Sequence, residues 1–292
     1  MADITTAFVK QYGDNVMMLA QQQMSRLRSA VTNDTISAEE AFYDQLGSSA
    51  LQAKTTRHGD TIILNPDHQR RRVTASPYEG AYLIDKEDKV RTLNQMENPY
   101  VRSLGMAAGR HIDQLIIDAA DGTAYTGKDG STATAYDTNN DVGVQVGGAS
   151  SDVGLNVEKL RAAKEILDAN EVDPMDPRFC VVNAKQLRNL LAETEIGSAD
   201  YNSVKSLVQG EVDTFLGFKF IRTELIGVDG NLDHKVLFFA KSGMLLAMAA
   251  EPTAKIDVRP DKSYATQAYI SVDAGATRME ESKVGRIICD PS

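Results

Sequence analysis

Tryptophan is absent from this chain, cysteine occurs only twice, and no run of about 18 consecutive apolar residues exists. The last absence excludes an apolar helix long enough to cross a bilayer, and no membrane partner is expected. Met1, Ala2, Asp3, Ile4, Thr5 and Thr6 lack the basic start and apolar stretch of a signal peptide, so the product is expected to stay in the cytoplasm of the cell that makes it. Cys180 and Cys289 sit in apolar runs without CxxC or metal-ligand spacing, which predicts reduced core thiols and no disulfide. Basic residues are outnumbered, 31 against 41 acidic ones, and the net charge of -10 opposes indiscriminate attraction to nucleic-acid phosphate. An acidic wall around DNA is compatible with that balance, because a surface that repels phosphate does not trap the polymer.

Catalytic patterns are also missing. The four histidines, His58, His68, His111 and His234, show no HExxH or HxH spacing, and His111 reads as a satisfied, half-buried side chain on a helix. No GxSxG elbow is present. Gly127-Lys128-Asp129-Gly130 fails the phosphate-loop pattern at the residue after lysine. Asp129, Asp137 and Asp141 lack the acidic alternation and terminal glutamate of an EF-hand loop. Glu39-Glu40 and Glu280-Glu281 read as solvated faces, since adjacency alone does not make an acid-base pair. No catalytic residue, metal or cofactor is therefore predicted.

What is present is an α+β pattern without a repeated βαβ rhythm, in 292 residues, enough for a sizeable core. Val16, Ala20, Met24, Leu27 and Val31 fall on one helical stripe, and a second helical piece is predicted over 38–46. Asn98 and Pro99 start the clearest helix. Its stripe is Val101, Leu104, Ala108, Ile112, Leu115 and Ala119, and Asp121-Gly122 is its stop, with the glycine expected to be left-handed. Gly105 and Gly109 inside it predict a bend or a close crossing. Residues 125–154 read as a flexible glycine-rich loop. Helices capped by Asn156 and Asn183 then alternate with strands at 179–182, 215–222, 236–240 and 254–259, with a compact helix predicted over 243–250. Residues 267–272 and 276–288 read as a closing antiparallel pair.

Residues 57–91 read as a two-armed β ribbon with short strands at 61–64 and 80–84. Asn65-Pro66-Asp67, the triplet Arg70-Arg71-Arg72 and Ser76-Pro77 form its connection. A lone two-stranded ribbon is marginal in water, so it is expected to lie on another copy of the chain. The arginines, at its basic tip, would pair with carboxylates there.

The local phrases extend this reading. Asn98-Pro99-Tyr100, Gly109-Arg110-His111-Ile112-Asp113 and the run 116–127 resemble the spine-helix region of tailed-bacteriophage major capsid proteins with the HK-ninety-seven-like coat fold. Leu160-Arg161-Ala162-Ala163-Lys164, Tyr201 with Val208-Gln209-Gly210-Glu211, Phe215-Leu216-Gly217-Phe218 and Gly275-Ala276-Thr277-Arg278 are similar to later stretches of the same branch.

The resemblance implies an N-terminal arm (1–53), an extended loop (54–92), a peripheral domain with spine helix and glycine-rich loop (93–170), an axial domain (171–252) and a return to the peripheral domain (253–292). It implies a coat protein that assembles with itself into hexamers and pentamers, forming an icosahedral shell around double-stranded DNA without sequence-specific contacts. The location is the virion capsid, assembled in the host bacterial cytoplasm, with a separate scaffolding protein and a portal as partners. Intersubunit contacts are expected at Arg70, Arg71, Arg72, Asp60 and Glu79, and at the turn carrying Arg259, Asp261 and Lys262. Some coats of this kind join subunits covalently through a lysine and an asparagine. No such pair with an assisting carboxylate is identifiable here, so noncovalent closure is expected. The alternatives are an encapsulin-type compartment packing protein cargo and, from another class, an enzyme on the α/β half.

Overall fold

Apolar steps of three and four over residues 101–119 become helix α1 (Glu97–Asp121). The computed structural model describes residues 21–57, 60–61, 63–85, 97–149, 151–192 and 214–291. The helix expected over 16–31 thus lies partly outside the described residues, as do the polar connection at 195–206 and the phrase around Tyr201. Within the described part of that arm there is no α-helix: the backbone is irregular up to a 3-10 turn at Arg28–Ala30. Leu27 and Val31 are buried, whereas Met24 is exposed, so the helical stripe is not realised.

Two sheets enclose α1. The first has the order β1 (Thr32–Thr35), β12 (Met244–Arg259), β13 (Ala265–Arg278), β4 (Ser76–Ile84). The second has the order β7 (Asp141–Val142), β14 (Val284–Cys289), β11 (His234–Ala240), β8 (Arg178–Val182), β10 (Phe218–Arg222), β9 (Thr214–Phe215). Alternation along β8 and β11 divides the core. Phe179, Val181, Leu237 and Phe239 face α1, where they meet Ile112, Ile116 and Leu246. Cys180, Val182, Val236 and Phe238 face helices α2 (Val157–Ala169) and α3 (Ala184–Ala192) and pack on Leu160, Leu167 and Leu190. Burial on both faces explains why these strands read as continuous apolar runs. Both expected caps are present: the Asn156 side chain accepts from the Lys159 amide at 2.8 Å, and that of Asn183 from the Gln186 amide at 2.8 Å. Cys180 and Cys289 are free and buried, and burial pushes the Cys289 thiol up to about 12.

Several expectations are corrected. The compact helix over 243–250 is the first half of β12, because Leu245 and Ala247 pack on Val73 while Leu246 and Met248 pack beneath α1. Two-sided burial between β1 and β13 overrides the helix propensity of Met, Leu and Ala. The helical piece at 38–46 is strand β2 (Glu40–Leu46), paired with β3 (His68–Thr74). The glycine-rich loop contains a small hairpin, β5 (Ala124–Thr126) and β6 (Thr132–Thr134), that extends this third sheet in the order β2-β3-β5-β6. The closing strands do not pair with each other: β13 joins β12 and β4, while β14 joins β11 and β7.

Gly122 is not left-handed; a Cβ there would lie 2.6 Å from the Asp118 carbonyl, so close approach requires the glycine. The same holds at Gly275 on β13, where a Cβ would collide with the Thr74 carbonyl on the strand turning from the third sheet into the first. Gly275→Ala is expected to destabilise the subunit by about 2 kcal/mol or more, measured as a drop in the unfolding midpoint of the isolated chain.

Candidate intersubunit surface

A strand places successive side chains on opposite faces, and this decides the fate of the arginine triplet. Arg70, Arg71 and Arg72 lie in β3 opposite Asp44, Tyr43 and Phe42 of β2, not at a ribbon tip. Arg70 reaches Asp44 at 2.5 Å and lies over the Phe42 ring, and Arg72 reaches Glu40 at 3.1 Å and lies over Tyr125. Arg71 turns the other way and is 2 % exposed, held by the Glu281 carboxylate. All three are thus engaged within the subunit. Glu281, expected on a solvated face, is half of this inward pair.

The corner at buried Ala75 sends β3 and β4 into different sheets, so 61–64 and 80–84 are not two arms of one ribbon. Segment 47–67 is closed at its base by the Gly47 amide donating to the Asp67 carbonyl at 2.7 Å. Its described residues are exposed except Leu64 and Pro66, which are intermediate. Leu46 at its root is 66 % exposed, Leu51 94 % and Ile63 83 %. Asp60 lies in this segment and is exposed.

The remaining candidates stand elsewhere. Glu79 is exposed on β4 and accepts from the Tyr269 hydroxyl at 2.9 Å. Arg259, Asp261 and Lys262 are exposed at the turn between β12 and β13. There Arg259 forks onto Asp261 with two bonds of 2.8 Å, and this holds the Asp261 carboxyl at about 2. Beyond the bulges between Met248 and Thr253, β12 is exposed, Ile256 and Val258 included, as is Tyr264 after the turn, whereas Ala265, Ala268 and Ile270 of β13 stay buried, the last two against Leu104 and Ala108 of α1. The candidates therefore fall in separate regions.

Two clusters escaped the sequence reading. In the first, Asp113 is fully buried on α1. It accepts from the Ser25 hydroxyl at 2.6 Å, the Arg26 amide at 3.0 Å, the Leu27 amide at 3.0 Å and the Gln22 side-chain amide. One turn earlier the same segment crosses Gly109, where a Cβ would lie 2.9 Å from the Ser25 nitrogen. The close crossing expected of the helix glycines is thus found at Gly109, while Gly105 has open space. His111 lies against the Tyr78 ring at 4.0 Å, and its buried Nε2 has no partner among the described residues, contrary to the satisfied histidine expected; burial holds its pKa below the ordinary value.

In the second cluster Arg278, 0 % exposed, donates to the Ala120 and Gly122 carbonyls at 3.0 and 2.9 Å, closing the C-terminal end of α1. Arg286 forks onto Asp141 at 2.9 and 2.6 Å, lies 4.0 Å over the Tyr136 ring and reaches Asp121, which also accepts from Lys235 at 2.7 Å. Burial pushes the Asp121 carboxyl up, but the Lys235 hydrogen bond and Arg286 outweigh it and hold the group below its ordinary value. These partners lie more than 100 residues apart in the chain, and no local spacing signals them. Among the described residues no group of three or more acidic, His or Cys side chains is placed to hold a metal.

A family model described as phage capsid protein matches residues 4–291. No curated protein matches the sequence. Solved structures share the fold at low identity: the capsid of Ralstonia phage GP4 (TM-score 0.74, 12 % identity, 97 % of this chain and 96 % of that one), that of cyanophage P-SCSP1u (0.73, 14 %, 97 % and 93 %) and that of cyanophage Pam1 (0.70, 14 %, 100 % of both).

Asp113→Ala is expected to cost about 3 kcal/mol, since it leaves several donors unpaired at once, and to speed hydrogen exchange at the Arg26 and Leu27 amides while that of β8 is unchanged. A depressed folded-state pKa makes the Asp121 contribution fully present above the ordinary value near pH 4 and lost as pH falls through the folded one. The unfolding midpoint should therefore fall on acidification below about pH 4, and Asp121→Asn should flatten that dependence.

Proposed function

Because the chain belongs to the phage capsid protein family and is a major capsid protein that forms the shell, we propose that its copies close that shell noncovalently, as hexamers and pentamers around double-stranded DNA. The observation that carries this reading is segment 47–67, which has a closed base in the subunit yet exposes Leu46, Leu51 and Ile63. Large exposed side chains on a segment without a core of its own call for a covering surface, and repeated copies supply one around a symmetric shell. Asp60, Glu79, Asp261 and Lys262 are the exposed charges available to set register between copies. Arg259 takes part through its fork on Asp261. Arg70 and Arg72 contribute only what their own carboxylates leave free.

Exposed pairs are worth about 0 to 1 kcal/mol each, so they steer docking while buried apolar area holds it. The net charge of -10 suits a container that encloses DNA without gripping its sequence. A separate scaffolding protein and a portal complete the proposed assembly, which takes place in the bacterial host cytoplasm. The phage description of the family favours DNA over the protein cargo of an encapsulin-type shell, and the family is one of structural proteins, not enzymes.

Changing Leu51 and Ile63 together to Asp should leave the melting of the isolated subunit within about 0.5 kcal/mol of wild type and reduce shell yield on density gradients severalfold or more. Boiling assembled shells in denaturant should release only monomers on a gel; a ladder of linked species would contradict noncovalent closure.

A further inference from the structure

A cavity of about 530 Å³ opens beside the root of segment 47–67, and its wall includes Asp44, His68, Arg70, Arg71, Lys128 and Glu281. Its charges do not balance. Asp44 is taken by Arg70 at 2.5 Å. Glu281 is shared by two buried guanidinium groups, Arg71 and, at 3.5 Å, Arg278. Arg71 is 2 % exposed, and its buried Nε and Nη1 have no hydrogen-bond partner among the described residues. Lys128 is exposed at the rim and makes no ion pair among the described residues. Within a chain of net charge -10, this is a locally cationic hollow containing an under-satisfied guanidinium.

A buried unpaired donor on a charged group is costly, and a guanidinium fork matches the two oxygens of a carboxylate. We propose that the cavity is a carboxylate-binding pocket, filled in the assembled shell by an acidic side chain of a second copy of this chain. Two observations favour that occupant. Acidic residues outnumber basic ones, 41 to 31, so a neighbour's surface is rich in carboxylates. The rim is also continuous with segment 47–67, whose exposed apolar side chains need the same neighbour. The proposal rests on the shell reading above, and its test separates the two.

Shells are assembled from equal amounts of full-length light and nitrogen-15-labelled chain, imaged, treated with a water-soluble carbodiimide and digested. Lys128 should be joined to an Asp or Glu in mixed-isotope peptides from shells and not in those from unassembled subunits. Lys128→Glu should lower shell yield at least tenfold with an unchanged melting temperature. Imaged shells without a mixed-isotope link at Lys128, or a Lys128→Glu chain that assembles at wild-type yield, would overturn the pocket and leave the shell reading standing. Failure of the wild type to form any particle would sink both. Inorganic phosphate titrated into unassembled subunits should show no binding tighter than millimolar; tighter binding would assign the pocket to a free oxyanion and overturn the second-copy occupant.

Discussion

The buried guanidinium of Arg278 is the contact on which the rest of the subunit depends. It stands where the long helix ends, where β13 ends, and where the third sheet meets the other two through Arg71 and Glu281. Burial pushes the Arg278 pKa down against the pull of Glu281, yet an arginine keeps its charge in any accessible pH range. The site must therefore supply acceptors permanently, and the terminal carbonyls of α1 supply them. A helix end that would otherwise leave carbonyls unpaired and a cation that would otherwise lack acceptors satisfy each other. Elements drawn from three parts of the chain are fixed at one point.

From that seam the division of labour follows. α1 lies between two sheets, and β8 and β11 send alternate side chains to opposite cores, so the apolar side chains of the body are covered within the subunit. The N-terminal segment 21–31 is part of that body: Leu27, Ala30 and Val31 are fully buried, and Asp113 ties the backbone at Arg26 and Leu27 to α1. What stays outside is narrower, namely the described residues of segment 47–67 and the outer end of β12. Self-sufficiency of the body and insufficiency of the projections coexist in one chain, and the second is what a shell requires.

The legible parts of the fold were those with local rules. α1 announced itself by apolar steps, although it already contains Asn98, which was expected to start it, and α2 and α3 announced themselves by apolar steps and by Asn caps, because a helix satisfies its own backbone within four residues. Strands β8, β10 and β11 were visible as short apolar runs. The failures share a physical cause. Residues 243–250 read as a helix because Gly-Met-Leu-Leu-Ala-Met-Ala-Ala lacks period-two contrast, and only α1 on one face and Val73 and Ala75 on the other show that both of its faces are buried. The arginine triplet read as a tip because three adjacent cations look solvated, whereas a strand turns the middle one inward. Asp113 carries no local mark at all, since its partners are distant in the chain, and of the two partners of Glu281 only Arg278 is near, three residues before it.

Geometry also limits how tightly one copy can hold the next. Each residue of segment 47–67 that docking against a neighbour fixes costs backbone entropy of roughly 1 to 2 kcal/mol, which offsets much of the gain from covering Leu51 and Ile63. Any single contact is then weak, and a mis-docked copy can leave. A closed shell repeats the same contact many times, so weakness at each site is compatible with stability of the whole. A fully pre-ordered arm would bind its first partner more firmly and make errors in placement harder to correct. The exposed, unsupported character of this segment is in that sense the property that suits a reversible route to a large symmetric particle.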